Sequence, residues 1–254
     1  MPDYDSYGLT VGQRREGYCW AHMGTTMFEV THEWLRDGLL CSVCGSIPRA
    51  RAISLVIDTV APDWRRARVW EIAPSGPAAD RLRTQCPNYV GSHFWPDLAP
   101  GEERHGYLCQ DVEAATFDDE SFDLIVSQDV FEHVLDVSQG MREIARVLTA
   151  GGLHVFTLPQ HRHQGLSRPR AERTESGVVH LQPPEYHGNP IDDLGSLVSF
   201  DWGLDLENVI RDASGLATTT IRVESFEYGI LGEFLEVFVS RKALGSASDP
   251  GRHR

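Results

Sequence analysis

Two constellations in this 254-residue chain have residue types and spacing that could do chemistry. The first is Cys19-Trp-Ala-His22 followed by Cys41-Ser-Val-Cys44, a C-x2-H and a C-x2-C pair. Each pair can turn two donors toward one ion, and four nitrogen and sulfur donors suit closed, tetrahedral Zn²⁺. A closed site has no open coordination position, so its role is structural, or to present a surface, and not catalytic. His32 is an alternative fourth donor, and ordinary reduced thiols are the simpler reading of the same cysteines. The second constellation is Asp129-Val-Phe-Glu132-His133. At the start of a helix, residues three and four apart share a face, so Asp129, Glu132 and His133 are expected to converge. Two carboxylates and an imidazole suit a divalent cation such as Mg²⁺ or Mn²⁺. A Glu and a His that merely cap and pack a helix would read the same way. His161, His163, His180 and His187 are candidates for a further ligand.

The elements that must position these residues are legible around them. FDLIVS (122–127) is a short apolar run of the kind a parallel sheet buries on both faces. VSQGMREIARVL (137–148) places Met141, Ile144, Ala145 and Leu148 on one helical face, with Gly151-Gly152 expected as the stop. LHVFTLP (153–159) is the next buried strand. Such a right-handed crossover leaves a ligand crevice at the carboxyl ends of its strands. Upstream, 48–64 reads as an amphipathic helix, 67–82 as strand, loop and helix, and 88–94 and 105–111 as strands. Downstream, 205–214 reads as a helix, and 218–226 and 233–242 as strands. The stretch 160–200 is too long for an ordinary connection and is expected to be a lid or substrate platform. It carries Arg162, Arg168, Arg170 and Arg173, able to hold an acidic group or simply to face solvent, and then Tyr186-His187-Gly188-Asn189-Pro190. Cys86 and Cys109 read as buried thiols.

The run F-D-D-E-S-F-D-L-I-V-S-x-x-V-x-E-H-V (117–134), followed by R-E-I-x-R-V-L-x-x-G-G (142–152), resembles the class I S-adenosylmethionine-dependent methyltransferases of the type 11-like group. The resemblance implies an α/β fold: a Rossmann-like seven-stranded sheet with helices on both faces and the cofactor across the carboxyl ends of strands one to four. It assigns cofactor contacts to Glu71, Ala73, Ser75 and Gly76 after the first strand, His93 after the second, Asp111 and Val112 after the third, and Gln128 at the fourth. Two departures stand out. The family's E-x-G-x-G-x-G loop is here Glu71-Ile-Ala73-Pro-Ser75-Gly76-Pro77, so any position needing positive φ becomes costly. His93 stands where the family has an acid for the ribose hydroxyls, and imidazole makes one hydrogen bond there instead of a bidentate charged pair. Asp129, Glu132 and His133 also resemble the E-x-x-E-H metal site of small-RNA 2′-O-methyltransferases, with Asp for the first Glu. E-Y-H-G-N-P followed by G-S-L-V-x-F-D-W-G resembles a bacterial subgroup associated with glycan or secondary-metabolite assembly.

The expected organisation is a zinc-knuckle module over 1–47, a methyltransferase domain over 48–244 with its insertion at 160–200, and a disordered tail over 245–254. The expected activity is O-methylation of a small-molecule or sugar hydroxyl, with His133 or His187 as base, or a cation held at Asp129, Glu132 and His133. S-adenosylmethionine, structural zinc, and Mg²⁺ or Mn²⁺ are the implied cofactors. The formal net charge of −14 disfavours a nucleic-acid groove. No apolar run approaches the roughly 20 residues that span a bilayer, and MPDYDSYG lacks a leader pattern, so a cytoplasmic protein is expected. A homodimer is left open. Two rival readings stand beside this one: an inactive scaffold whose zinc module binds a partner, and an RNA or protein methyltransferase.

Overall fold

This computed structural model describes residues 7–189 and 195–245. At the amino terminus β1 (Arg14–Cys19), β2 (Gly24–Val30) and β3 (Leu39–Cys41) pair antiparallel in that order, with α1 (Leu35–Gly38) between the last two. α2 (Pro48–Val60) follows, with its proline in the first turn, where a missing N–H removes no helical bond.

The remaining chain builds one large sheet from β4 (Val69–Ile72), β5 (Tyr89–His93), β6 (Glu103–Arg104), β7 (Tyr107–Cys109), β8 (Phe122–Gln128) and β9 (Leu148–Thr157). After β9 the described residues of the insertion form three short antiparallel pairs. β10 (Arg168–Pro169) pairs with β15 (Phe200–Asp201), β11 (Ala171–Thr174) with β12 (Gly177–His180), and β13 (Tyr186–His187) with β14 (Ser196–Leu197). β16 (Ala217–Ile221) and β17 (Val237–Arg241) close the large sheet, whose order is β16-β17-β9-β8-β4-β5-β7-β6. β4, β5, β7, β8 and β9 run parallel, while β17 is antiparallel to both of its neighbours. The chain leaves β4 toward β5 and β7, then returns to β8 on the other side. That reversal makes the carboxyl ends of β4 and β8 the switch point where an open α/β sheet holds its ligand.

Alternation along the strands sends side chains to two separate cores. Trp70, Ile125, Phe156 and Phe238 meet α4 (Val137–Val147) and α5 (Leu206–Ser214) on one face. Val69, Leu124, Val126, Val155 and Val237 meet α2 and α3 (Gly76–Gln85) on the other. The Rossmann-like architecture with a small amino-terminal module is therefore as expected, with one addition. The β6–β7 hairpin contributes a two-residue edge strand, giving eight strands where seven were expected.

Three boundaries differ from expectation. α4 ends at Val147 and β9 begins at once, so Gly151-Gly152 lie inside a strand and stop no helix. They sit at the register shift between the Phe122↔Leu148 and Leu124↔Leu153 pairs, where Gly151 takes φ 78°. The strand expected over 105–111 shortens to Tyr107–Cys109 and leaves Asp111 beyond it. The strands expected over 218–226 and 233–242 stop at Ile221 and start at Val237, because the intervening loop packs on the amino-terminal module. Pro190 and the rest of 190–194, and 246–254 of the expected tail, lie outside the described residues.

Candidate functional site

The loop after β4 is where small residues matter. Ala73 takes φ 53° and Gly76 φ 70°, and nothing stands within 4 Å of where a Gly76 Cβ would be. Ser75 is extended and caps α3 without a side-chain hydrogen bond, so the first N–H groups of α3 keep no side-chain partner from it. A left-handed alanine is strained by roughly 1–2 kcal/mol, partly offset by the stiffer unfolded chain it gives relative to glycine. Ala73→Gly should accordingly stabilise the protein by about 0.5–1 kcal/mol, a rise of roughly 2 °C in thermal midpoint. A lowered midpoint in a scanning measurement would show that this strain is absent.

Glu71, at the end of β4, is 1% exposed and accepts a 2.8 Å hydrogen bond from the Tyr89 hydroxyl. Burial raises its pKa to about 8, opposed by Tyr89 and by Gln128 at the end of β8. His93 ends β5 between the rings of Trp95 and Tyr107, at centroid distances of 5.4 and 4.9 Å. Its Nδ1 is buried without a protein partner, and burial lowers its pKa. An imidazole nitrogen left so is available to a bound hydroxyl. Asp111 forms a tight turn, its carboxylate accepting from the Glu113 N–H at 2.9 Å. Val112 buries its side chain in the α4 core.

The expected convergence of Asp129, Glu132 and His133 does not occur. Residues 130–136 are turn, bend and irregular backbone, with α4 starting only at Val137 behind the Asp136 cap, so no helical face collects them. The Asp129 carboxylate instead receives Arg36 and Arg49 on one oxygen and the Thr157 hydroxyl at 3.0 Å on the other. In its place His187, from β13 in the insertion, joins Glu132 and His133, one ligand atom from each lying within 4.8 Å of the others. His161, His163 and His180 are outside this cluster. Glu132 is fully buried and neither of its oxygens has a hydrogen-bond partner. Burial pushes its pKa up to about 7, against the pull of its own backbone and of Arg49 and Arg36. The His133 Nδ1 is 2.9 Å from the Leu197 carbonyl. Since a carbonyl can only accept, Nδ1 carries the proton and Nε2 offers a lone pair. Burial brings the His133 pKa down to about 4, so the ring is neutral at physiological pH.

The insertion's arginines are matched to acids within the protein. Arg168 and Arg170 meet Asp201 at 3.1 and 3.2 Å, Arg173 meets Glu113 at 3.2 Å, and Arg162 joins Arg222 on buried Glu236. They form an internal ion-pair network, not a free anion site.

In the amino-terminal module, Cys19, His22, Cys41 and Cys44 bring one ligand atom each to within 4.8 Å of one another. Cys19 Sγ and Cys44 Sγ are 3.8 Å apart, and Cys41 Sγ is 3.6 Å from His22 Nδ1. A zinc tetrahedron with ~2.3 Å bonds has edges of about 3.8 Å, so the donor set fits that ion. His22, and not His32, completes the set. Hydroxyls of Ser46 and Thr26 lie 3.2 Å from Cys19 and Cys41, as outer partners of thiolates do. Gly45, after the second pair, has φ 72°, and after the first pair it is Met23, not Gly24, that takes positive φ. Cys86 and Cys109 are buried and free.

Arginines 36, 49 and 51 are the residues that sequence reasoning missed. The available signal was Arg49 and Arg51 sitting among Pro48, Ala50, Ala52 and Ile53 at the otherwise apolar start of a helix; nothing local marked Arg36. Arg51 is wholly buried over the Phe28 ring and donates to the carbonyls of Ser46, Leu39 and Gly229. It thereby joins the module, α2 and the loop before β17.

Residues 70–156, covering β4 through most of β9, match the family described as "Methyltransferase domain". A curated relative, the sarcosine/dimethylglycine N-methyltransferase of Halorhodospira halochloris, is 34% identical over 104 residues, 37% of this chain and 36% of that protein. The chain thus matches about a third of that relative's length. Among solved structures, an S-adenosylmethionine-dependent methyltransferase from Mesorhizobium loti is similar at 16% identity, covering 75% of this chain and 98% of the other, with a TM-score of 0.48. A putative one from Listeria monocytogenes reaches 0.49 at 10% identity, over 76% and 99% of the two chains. The strand order itself defines the fold, and residues 70–156 within it are the part that matches the methyltransferase-domain family. No helix among the described residues is long and apolar enough to cross a membrane.

Proposed function

We propose that this protein is an S-adenosylmethionine-dependent methyltransferase that methylates a hydroxyl on a small molecule or sugar. The observation that carries the reading is that the methyltransferase-domain match spans the strands and loops that form the switch-point crevice. The residues there fit the cofactor chemically: a loop of small residues at Ala73 and Gly76, the amino terminus of α3 for an anion, and an unpartnered His93 Nδ1 for a hydroxyl. When bound, the cofactor supplies an electrophilic methyl group. What the protein adds is alignment and management of the acceptor's proton.

His133 with a pKa near 4 is a weak proton acceptor. Its held tautomer, the buried carboxyl of Glu132 and the imidazole of His187 suit a cation ligand set better: one carboxylate and two histidines. A Mg²⁺ or Mn²⁺ ion held there would acidify an acceptor hydroxyl. The Cys19, His22, Cys41, Cys44 set would hold structural zinc. The likeness to an N-methyltransferase favours a second reading, an amine acceptor, for which the cation would be dispensable.

The test is calorimetric titration with S-adenosylhomocysteine, followed by an acceptor screen with and without Mg²⁺. A micromolar dissociation constant is expected. Absence of binding at millimolar ligand would overturn the reading in favour of a scaffold. Methylated amines formed without added cation would replace the hydroxyl by nitrogen.

A further inference from the structure

The amino-terminal module reaches into the switch-point crevice with one side chain. Arg36, on α1, places Nη2 on the Asp129 carboxylate, donates Nε to the Phe234 carbonyl at 3.4 Å, and lies 3.7 Å from Asp37. Its side chain is 7% exposed. Arg49, from α2, meets the same Asp129 oxygen. Asp129 directly follows the last residue of β8, so it stands between Gln128, beside Glu71, and the turn that carries Glu132 and His133.

Asp129 also holds an unusual backbone, with φ 51° in a residue that has a Cβ. Its N–H donates to the Thr157 carbonyl at 3.0 Å and its carboxylate takes the Thr157 hydroxyl and both arginines. A strained residue held by so many contacts is over-determined by its surroundings, which is how functional loops keep a high-energy conformation. Anchoring the module does not require Arg36. Arg51 already joins module to body through three carbonyls, the Tyr18 N–H donates to the Glu227 carbonyl at 2.8 Å, and Leu231 enters the module's core. Burying one more guanidinium is unfavourable unless its pairing serves something else.

We propose that Arg36 is a positioning residue, and that the Cys/His module is a built-in wall of the cofactor crevice and not a recruiting appendage. Folding of the module presents Arg36, Arg36 with Arg49 fixes Asp129, and Asp129 sets the backbone from Gln128 to His133 against which the cofactor lies. This rests on the methyltransferase reading above.

The test uses full-length, zinc-loaded protein with the variants Arg36→Gln, Arg36→Lys, Asp129→Asn and Arg36→Gln/Asp129→Asn. S-adenosylhomocysteine affinity is measured by calorimetry, beside bound zinc and thermal midpoint. Each of R36Q and D129N should weaken binding about tenfold. The double variant should be no weaker than the poorer single, since the two residues act as one unit. R36K should recover part of the loss by restoring charge without the fork, with zinc content constant throughout. Unchanged binding in R36Q, or losses that multiply in the double variant, would overturn the inference. Should R36Q shed zinc, D129N decides alone, provided its own zinc content is unchanged, because it substitutes no residue of the module: wild-type affinity there overturns the proposal. Wild-type protein that binds no S-adenosylhomocysteine would instead sink the methyltransferase reading and this inference together.

Discussion

Replacing Cys41 with serine is expected to empty the amino-terminal module of metal and lower the thermal midpoint by roughly 8–16 °C. The module's own core is only Cys19, Ala21, Phe28, Val30, Leu35, Leu39 and Cys41 with Leu231 from the body, too little apolar area to fold so short a segment without a cross-link. Two of those core residues, Cys19 and Cys41, belong to the four-donor Cys/His cluster. Cys19 is poised to be a thiolate, its pKa brought down chiefly by hydrogen bonding with Cys44 and also with Ser46, and a metal is what makes gathering thiolates favourable. Losing such a site belongs among substitutions that cost more than about 4 kcal/mol, which in a chain of this size gives the stated shift. Metal analysis of purified protein should find one zinc per chain, and a chelator should reproduce the C41S midpoint in the wild type. Zinc-free wild-type protein whose midpoint C41S leaves within about 1 °C would return these residues to ordinary thiols.

The second large effect is expected at Glu132. The proposed cation must bind the ionised carboxylate, and Glu132 has a pKa of about 7, while His133, at about 4, is already neutral. Affinity for Mn²⁺, followed by calorimetry, should therefore rise about tenfold per pH unit below 7 and level off above it. E132Q should abolish binding at every pH. Stability without cation should move the other way. A carboxyl whose folded pKa is raised stabilises the protein fully below its unfolded value near 4.5, and that contribution fades as pH climbs through 7. Neutral glutamine escapes the loss, so E132Q should match the wild type near pH 4 and exceed it by about 3 kcal/mol at pH 8. Mn²⁺ binding that ignores pH, or survives in E132Q, would remove Glu132 from the ligand set. A wild type as stable as E132Q at pH 8 would show that its carboxylate is already compensated.

Both predictions depend on residues whose types were legible at once, but only for Cys41 were the partners legible too. The C-x2-H and C-x2-C pairs lie on short turns, and a turn fixes donor direction through local backbone geometry alone, so the four residues that cluster could be named from spacing. Asp129 shows where that reasoning fails. Its grouping with Glu132 and His133 assumed a helix beginning at once, but the chain turns until Asp136 and sends the carboxylate to two arginines. His187 shows the converse: it was one histidine among four, and only the folded insertion brings it to Glu132 and His133.

The sequence by itself determined the parallel sheet, the crossover over 122–157, the position of the loop after β4 and the donors of the amino-terminal module, because period, turn chemistry and ligand spacing act between neighbours in the chain. Only the tertiary structure decided which buried charges meet. Arg36 finds Asp129, Glu236 takes Arg162 and Arg222, and Glu132 is left without a hydrogen-bond partner. Such pairings follow from desolvation, which is felt only once distant segments exclude water together.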